Sequence, residues 1–391
     1  MKVTLPVERL LGTVRKVVQF AGHSRDVDTD LSLLSISVTS NKTMRFAAHD
    51  TIAGATASVK IDEGEEGSVT VFAERFGRVV YVLPESGDVT LTKVSKSRMT
   101  IEIKRLCMTV PIKDISDFPK FPTPPKGEWF EVEERKFRDV ASHCSWAVDN
   151  NELRPILTGI HMTPDYSEAT NGHALVRKTP GIVPCEIIVP SSNVSKARNF
   201  IANRRSNVYM LCEDNRAWVR TKTWAVYMSL IQGRYPDLDR VIFNPDPLGN
   251  HFISDNHSCV VYWIYISRSQ LLEIAERITG TEQGKIGAAI KFVIRGDDLY
   301  VVSYYQNGED QDNIDVDEQM DWEEGSVSIG NVEGFECLCS LGFKTSLVRK
   351  ALESFSSNKI KLMWAEEKAA MPLQFHDESA GLAALVMPRR L

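Results

Sequence analysis

Residues 7–18, VERLLGTVRKVV, repeat apolar side chains at steps of three and four and place charged side chains between them. This spacing is typical of an α-helix with one buried face. Five further segments show the same period, so that each third of the chain holds two. They start at Phe72, Phe137, Val194, Leu271 and Leu347. The sequence therefore predicts six amphipathic helices.

Short alternating runs lie between the predicted helices. They are VTLTKV (89–94), MTIEIKRL (99–106), VYML (208–211) and KIKLMW (359–364). Alternation of apolar and polar residues indicates half-buried antiparallel strands. Each third thus reads helix, strands, helix, strands. The predicted fold class is α+β, with three similar domains, each of two helices packed on antiparallel sheet.

Two aromatic-proline units support an internal repeat. DFPKF (117–121) and RYPDL (234–238) lie about 117 residues apart, and each closes a set of strands. Proline and glycine are concentrated at 122–127 and 244–250, which predicts linkers there. The predicted domains are 1–125, 126–247 and 248–391.

The composition is typical of a globular protein. The 391 residues include 43% hydrophobic and 25% charged residues, and the net charge is −6. No apolar run approaches the roughly 20 residues that span a bilayer. The first residues lack the pattern of a signal peptide. We therefore expect a cytoplasmic protein that has no membrane partner.

The seven cysteines are scattered and include no CxxC pair. Cys337 and Cys339 share one face of a strand if they lie on one, and core packing is the preferred interpretation of this pair over a metal site. We expect reduced thiols, no metal and no cofactor.

Positive charge is concentrated on the predicted helices. Their windows hold 17 basic and eight acidic residues, so the remainder of the chain carries a net charge of −15. Either the helices simply tolerate Lys and Arg, or their outer faces meet DNA phosphates without reading bases. The candidates for DNA contact are Arg9, Arg15, Lys16, Arg75, Arg78, Arg135, Lys196, Arg198, Arg204, Arg205, Arg349 and Lys350.

Motifs of the common catalytic mechanisms are absent from the sequence. It contains no GxxxxGK[ST], HExxH or GxSxG, and no GxGxxG after a strand. His173 follows a turn-forming Asn-Gly pair without a companion carboxylate or nucleophile, so a structural or surface-lining role is favoured. The acidic segment 309–324 breaks the pattern of a calcium loop and is interpreted as a solvated loop. No catalytic activity is predicted.

Six motifs occur in an order that matches a known family. They are DFPKF (117–121), ELRPILTGIHM (152–162), SEATNGHALVR (167–177), IIVPSSNVSKARNFI (187–201), GRYPDLDRVI (233–242) and LAALVMPRRL (382–391). With them, the chain resembles the bacterial DNA polymerase III beta subunit, the sliding clamp, along essentially its whole length. The resemblance implies the DNA clamp fold and a head-to-tail homodimer that closes into a ring around double-stranded DNA.

The resemblance also implies protein partners. They are the catalytic subunit of the replicative polymerase, the clamp loader and other proteins with a clamp-binding motif. In this family, partners dock a short linear peptide in a cleft between the second and third domains. The matching residues here are Leu157, Thr170, Gly172, His173, Ala174, Leu175, Pro236, Arg240, Val241, Met371, Leu385, Val386, Met387, Pro388, Arg389, Arg390 and Leu391.

Several positions bear on ring closure and DNA contact. Leu106 and Met108 alternate on a strand near the edge of the first domain, where a dimer seam and core packing are both open interpretations. Arg25 matches a position that contacts DNA in the family, but acids at 26–30 replace its usual apolar neighbours. Ala174 stands where the family usually has arginine. Segment 244–265 makes the third domain longer than usual.

Two alternatives to a sliding clamp stay open. One is a clamp-like scaffold that keeps the peptide cleft without encircling DNA. The other is an enzyme of unknown chemistry, which any measured turnover would favour.

Overall fold

The structure of the chain is a computed structural model. It describes residues 1–22, 30–151, 153–201, 207–213, 215–242, 251–254, 257–281, 289–295, 298–304, 317–320, 322–323, 342–365 and 372–389. The chain forms two compact units. Unit 1 comprises Met1–Ala141 and Val189–Gln232, and unit 2 comprises Ser142–Ile188 and Gly233–Leu391. The boundaries of the three domains stay a prediction.

The six predicted helices are all present in the described ranges. They are α1 (Val7–Val17), α2 (Ala73–Tyr81), α3 (Glu134–Cys144), α4 (Ser191–Arg198), α5 (Arg268–Thr281) and α6 (Thr345–Glu353). In α1, the side chains of Val7, Leu10, Val14 and Val17 are buried, as the period predicts. Burying one such side chain contributes about 1.5–3 kcal/mol. None of these helices is long and apolar enough to cross a membrane.

Strands make up most of the remaining described structure. In the first half of the chain they are β1 (Lys2–Pro6), β2 (Leu33–Thr39), β3 (Thr43–His49), β4 (Ala53–Lys60), β5 (Glu63–Gly64), β6 (Gly67–Phe72), β7 (Asp88–Lys93), β8 (Arg98–Ile103), β9 (Leu106–Pro111), β10 (Phe130–Glu133), β11 (Gly159–Met162), β12 (Ser167–Thr170), β13 (Ala174–Lys178) and β14 (Ile187–Pro190). In the second half they are β15 (Asn207–Glu213), β16 (Arg216–Arg220), β17 (Trp224–Ser229), β18 (His251–Ser254), β19 (His257–Ser267), β20 (Ala289–Arg295), β21 (Asp298–Tyr304), β22 (Asp317–Met320), β23 (Trp322–Glu323), β24 (Gly342–Lys344), β25 (Lys359–Ala365), β26 (Leu373–Asp377), β27 (Leu382–Val386) and β28 (Pro388–Arg389).

Unit 1 holds two antiparallel sheets. Their strand orders are β5-β1-β7-β8-β9 and β10-β15-β16-β17-β4-β3-β2-β6. On the larger sheet, Leu34, Ile36 and Phe46 point to one face and are fully buried. Helix α1 packs against β3 and β4 on this sheet. The core of unit 1 therefore lies between the helices and the larger sheet.

Unit 2 also holds two sheets. The larger has the order β14-β11-β12-β13-β27-β26-β25-β19-β18, with β23 beside β19, and the smaller has the order β22-β21-β20-β24-β28. Helices α5 and α6 pack against each other. After β27 the chain leaves the larger sheet, and Pro388 pairs with Phe343 of the smaller one. The predicted α+β class is confirmed.

The predicted strand at 99–106 is wrong at its C-terminal end. Strand β8 ends at Ile103, and a two-residue turn leads into β9, where Leu106 pairs back with Ile103. Lys104 in this turn has φ 52°, in the left-handed region. Glycine or asparagine usually signals such a turn. A lysine carries no such signal, which explains the error.

Candidate functional site

The turn between β12 and β13 is held by a network of local hydrogen bonds. Asn171 Oδ1 accepts from the backbone N–H groups of His173 (2.9 Å) and Ala174 (2.8 Å). The Thr170 hydroxyl donates to the carbonyl of Ala174 (2.8 Å) and accepts from the N–H of Gly172 (3.1 Å). Gly172 has φ +83°, which favours glycine. The turn therefore presents the exposed Gly172 and His173 in a fixed conformation.

Strand β27 runs beside β13 and ties the carboxyl-terminal motif to this turn. Leu385 lies opposite Leu175, and Val386 lies opposite Ala174. One residue further on, the N–H of Met387 donates to the carbonyl of His173 at 2.8 Å. The sequence places these segments more than 200 residues apart, and the sheet brings them into contact.

The segment around Pro236 is attached to the same turn. The hydroxyl of Tyr235 accepts from the N–H of Thr170 at 3.0 Å. Further along, the buried Gln374 donates to the carbonyl of Val241 at 2.8 Å. These two bonds hold both ends of the YPDLDRV motif. The exposed Pro236 and Arg240 lie between them.

An ion network centred on the buried Glu168 is connected to this segment through Asp239. Arg177 donates to Glu168 Oε2 through Nε (2.8 Å) and Nη2 (2.7 Å), and to Asp239 Oδ1 through Nη1 (2.6 Å). His161 places Nδ1 2.8 Å from Glu168 Oε1 and Nε2 3.0 Å from Glu186 Oε1. The Glu168 side chain is only 1% exposed. A buried carboxylate of this kind is stable only when it is paired and hydrogen-bonded.

The network favours the protonated, charged form of the His161 imidazole. Burial alone lowers the pKa of His161, but the hydrogen bonds and charges of Glu168 and Glu186 outweigh burial, so its pKa is raised above the usual value. The His161 ring stacks on Tyr235, with centroids 4.6 Å apart. Burial also raises the pKa of the Tyr235 phenol, which keeps it protonated.

The sequence interpretation missed this network. Its members are His161, Glu168, Arg177, Glu186 and Asp239. The sequence carried little signal for it, because Glu168 and Arg177 lie in the short segments SEAT and ALVRK, which mix polar and apolar residues. Charged side chains on such strands are buried with a partner or face solvent, and only the pairing of β12 with β13 distinguishes these cases.

The predicted peptide-site residues fall into three groups. Thr170, Ala174, Leu175, Leu385 and Val386 are buried, each at most 6% exposed. Half-buried or exposed residues form the accessible part: Leu157, Gly172, His173, Pro236, Arg240, Val241, Met387 and Pro388. Met371, Arg390 and Leu391 lie outside the described residues, as does the side chain of Arg389. The buried group lies on the adjacent strands β12, β13 and β27 of the larger sheet, whereas the accessible group lies outside that sheet.

Helices α1 and α4 of unit 1 bring several predicted DNA-contacting residues together. Asn199 donates to the side chain of Gln19 at 2.8 Å, next to the paired rings of Phe20 and Phe200. Lys196 lies 5.5 Å from the Phe20 ring centroid. The ends of the two helices that carry Arg15, Lys16, Lys196 and Arg198 are therefore neighbours. We call these four residues the α1/α4 cationic patch.

Four other predicted DNA-contacting residues have acidic neighbours. Arg9 lies 4.0 Å from Asp62, Arg135 3.9 Å from Asp139 and Arg349 3.5 Å from Glu353, and Arg78 pairs with Glu74. Arg75 lies over the Phe72 ring, and Lys350 is exposed on α6. Exposed pairs of this kind are weak, so these cations stay available to phosphates at low cost. Arg25, Arg204 and Arg205 lie outside the described residues, as does most of the acidic segments 26–30 and 309–324.

The candidate dimer residues lie on an edge strand. Strand β9 is the last strand of the five-stranded sheet in unit 1. Leu106 is 39% exposed and Met108 is half-buried. An edge strand with exposed apolar side chains can pair with another chain. The role of both residues in a dimer stays a prediction.

Metal-ligating side chains do not cluster in the residues that the structure describes: no group of three or more His, Cys, Asp or Glu side chains there is placed to hold a metal ion. In the described part of the chain, Cys107, Cys144, Cys185 and Cys212 form no disulfide bond. Burial raises the pKa of the Cys144 thiol. Cys337 and Cys339 lie outside the described part of the chain.

Comparison with known proteins identifies similar sequences. No model of a protein family matches the chain. It is 26% identical over 189 residues to the beta sliding clamp of Lactococcus lactis, covering 46% of this chain and 49% of that relative. The beta sliding clamp of Pseudomonas aeruginosa is 20% identical over 339 residues, covering 84% of each chain. The chain thus spans about half the length of the first relative and most of the second.

Solved structures show a likeness over the whole chain. A sliding clamp from Bartonella birtlesii bound to griselimycin matches with a TM-score of 0.81 and 19% identity, and both chains are covered completely. The polymerase sliding clamp of Bacillus subtilis matches with a TM-score of 0.79 and 17% identity, covering 100% of this chain and 99% of that one. The fold is therefore the DNA clamp fold.

Proposed function

We propose that this chain, a divergent member of the bacterial sliding-clamp family, is a non-catalytic processivity factor that encircles double-stranded DNA as a head-to-tail homodimeric ring. The observation that carries the proposal is the likeness to sliding clamps over the complete chain, at TM-scores of 0.79 and 0.81. A closed ring retains DNA by topology, so the protein needs no tight or base-specific contacts.

The α1/α4 cationic patch supports the DNA part of the proposal. Its four basic side chains lie on helices, and phosphates are bound by such groups without reading bases. Burial lowers the pKa of Lys16, and among the described residues no carboxylate contributes to this shift. A phosphate would supply a counter-charge. Contacts of this kind weaken as salt rises, because protein binding releases counterions from the DNA and this release is less favourable at high salt.

The turn at Asn171–Ala174 supports the partner part of the proposal. A surface of Leu157, Pro236, Val241 and Met387 offers apolar contacts beside the backbone of an exposed turn. Such a surface fits a short linear peptide that buries a few side chains. Methionine adapts to different side chains, which suits a site shared by several partners.

The proposed partners follow from this site. We assign the peptide to the catalytic subunit of the replicative polymerase and to other proteins with a clamp-binding motif, all in the cytoplasm. Tethering raises the effective concentration of the polymerase at DNA. A clamp loader would open the ring, because the sequence contains no phosphate-binding loop for nucleotide hydrolysis.

Ring closure is tested by mass and by retention on DNA. Light scattering at several concentrations should give a dimer of about twice 43.9 kDa. The loaded protein should stay on circular DNA and slide off linear DNA of the same sequence. Equal loss from both would overturn the ring. A persistent monomer that still binds polymerase peptide would favour the scaffold instead.

The cationic patch is tested by charge reversal. Lys16→Glu combined with Lys196→Glu should shorten the residence time on circles and reduce the salt dependence of binding. Lys96→Glu is the matched control, since Lys96 is exposed in the loop between β7 and β8 of unit 1 and belongs to neither helix. Equal effects of the patch and control variants would remove the patch from the DNA-contacting surface.

The peptide site is tested by deletion and by substitution. Deleting residues 387–391 should abolish binding of a polymerase-derived peptide and leave the dimer intact. The deletion also removes Pro388, which pairs with β24, and could therefore disturb the smaller sheet. Pro236→Glu is a second variant at an exposed residue that belongs to no strand. Unchanged peptide binding in both variants would count against this site.

A further inference from the structure

Unit 1 contains a cavity that the proposed function does not use. Its volume is about 620 Å³, within the usual range for ligand sites. It lies between the outer face of the eight-stranded sheet and the segment 118–124, and we call it the unit 1 groove. Its walls include Phe118, Phe121, Trp129 and Trp218.

The floor of the groove is a row of small side chains. Ser35 pairs with Ala47, Ala47 with Thr56, and Thr56 with Ala225, so these residues lie directly opposite one another on β2, β3, β4 and β17. Arg220 of β16 extends the row by one strand. At the usual spacing between strands, this row is roughly 19 Å long, the length of about six extended residues.

The aromatic wall is held by its own contacts. His49 Nε2 lies 3.2 Å from the carbonyl oxygen of Pro119, and the His49 ring meets Phe118 and Phe121 edge-on at 5.4 and 5.6 Å. Phe121 in turn packs against Tyr227 at 5.4 Å. The contacts with His49 and Tyr227 therefore hold the segment 118–121 against the sheet, and the groove lies beside this segment.

The charged side chains that line the groove are all basic. They are Arg45, Lys120 and Arg220. Arg220 lies 3.7 Å from the centroid of Trp129, and Arg45 and Lys120 are exposed. Within the described residues, none of the three forms an ion pair with a carboxylate of the chain. Basic side chains beside aromatic walls favour a ligand that is both acidic and apolar.

We propose that the unit 1 groove binds an acidic linear peptide that alternates carboxylates with large apolar side chains. The aromatic wall would bury the apolar side chains, and Arg45, Lys120 and Arg220 would pair with the acids. The small floor leaves room for an extended backbone. This site is independent of the peptide site in unit 2.

Single-stranded nucleic acid is the less favoured ligand. Three cations are few for a polyanion, since tight nucleic-acid binding uses about 6–10 phosphate contacts. Bases stack on open aromatic faces, whereas Arg220 already covers one face of Trp129.

The experiment measures fluorescence anisotropy of a labelled eight-residue peptide, Glu-Asp-Phe-Glu-Leu-Asp-Phe-Glu, with the full chain. Arg45→Glu reverses a cation of the groove, and Ala225→Phe fills its floor. Both should raise Kd about tenfold or more, whereas Lys96→Glu should leave Kd unchanged. A peptide with lysine in place of every acid should bind none of these proteins. Thermal melts of each variant separate loss of binding from loss of fold.

Three results would overturn the proposal. The first is no binding to the native chain up to about 1 mM peptide. The second is binding that neither Arg45→Glu nor Ala225→Phe reduces, because the peptide would then lie elsewhere. The third is that oligothymidylate displaces the peptide and that Arg45→Glu weakens the binding of oligothymidylate as much as that of the peptide. The groove would then be a nucleic-acid surface. Peptide binding with the expected losses stands whether or not the protein encircles DNA.

Discussion

The β3–β4 turn of unit 1 and the β12–β13 turn of unit 2 share one backbone design. Asp50 Oδ1 accepts from the N–H groups of Ile52 and Ala53, as Asn171 Oδ1 accepts from His173 and Ala174. The N–H of Ser229 donates to the carbonyl of Ile52 at 2.7 Å, and that of Met387 to His173 at 2.8 Å. We call the two regions the unit 1 corner and the unit 2 corner.

The side chains at the two corners differ. In unit 1, Gly54 lies opposite Tyr227, whereas in unit 2 Leu175 lies opposite Leu385. The unit 1 corner is packed with aromatic rings, including Tyr227, His49 and Phe118. The unit 2 corner rests instead on the ion network around Glu168.

The two corners show that the conformation of the turn and the surroundings of the turn have different origins. Short-range hydrogen bonds define the same turn in both units. The long-range partners decide what the turn supports, because DFPKF covers its corner with Phe118, whereas RYPDL anchors Tyr235 and leaves Pro236 exposed. The internal repeat seen in the sequence therefore has two different outcomes in the structure.

The largest expected effect concerns the ion network of unit 2. Arg177→Ala would leave Glu168 buried without its main partner, at a cost of about 3–5 kcal/mol. Arg240→Ala, which removes an exposed pair with Asp237, should cost at most about 1 kcal/mol. Hydrogen exchange should localise the loss to β12 and β13. Equal protection in both variants would contradict a supporting role for the network.

Next in size is a steric test of the unit 1 corner. A Cβ at Gly54 would lie 2.4 Å from Cε1 of Tyr227 and 2.5 Å from Cβ of His49. Gly54→Leu should therefore destabilise unit 1 by about 3 kcal/mol. Adding Tyr227→Leu reproduces the leucine pair of unit 2 and should recover part of the loss. Additive effects in urea unfolding would show that the two positions are not coupled.

The stability of the unit 2 corner should depend on pH. The pKa of His161 is raised in the folded chain, so its contribution is complete below about 6.5 and is lost as pH rises through the folded pKa. His161→Gln should cost about 1–3 kcal/mol at pH 6 and less at pH 9. The measurement is the difference in unfolding free energy between native and variant chains. A difference that does not change with pH would mean that folding does not raise the pKa of His161.

The smallest expected effect compares the two acceptors of the turns. Asp50→Ala and Asn171→Ala each remove two hydrogen bonds and should cost about 1 kcal/mol, with Asp50 the larger because its acceptor is charged. Only Asn171→Ala should weaken binding of the polymerase peptide. Isothermal titration with both variants checks this. Equal weakening by both would place peptide contacts at the unit 1 corner as well.

Local patterns in the sequence predicted much of the fold. Apolar spacing gave the helices, because one buried stripe per helix is a property of consecutive residues, as Val7, Leu10 and Val14 show. The resemblance to sliding clamps brought the LVMP motif and the TNGHA turn to one site, and the pairing of β13 with β27 agrees with this placement. The turn at Lys104 escaped prediction, because its left-handed backbone follows from strand pairing and no residue type signals it.

The sequence by itself determined the α+β class, the six helices and the turn chemistry of Asn171 and Gly172, since these depend on residues a few positions apart. Only the tertiary structure decided the ion network, the buried strands of the candidate peptide site and the unit 1 groove. His161 and Asp239, or Arg45 and Ala225, meet because strands and segments distant in sequence share one sheet face. The energies of such contacts depend on burial and pairing, which no local pattern of residues encodes.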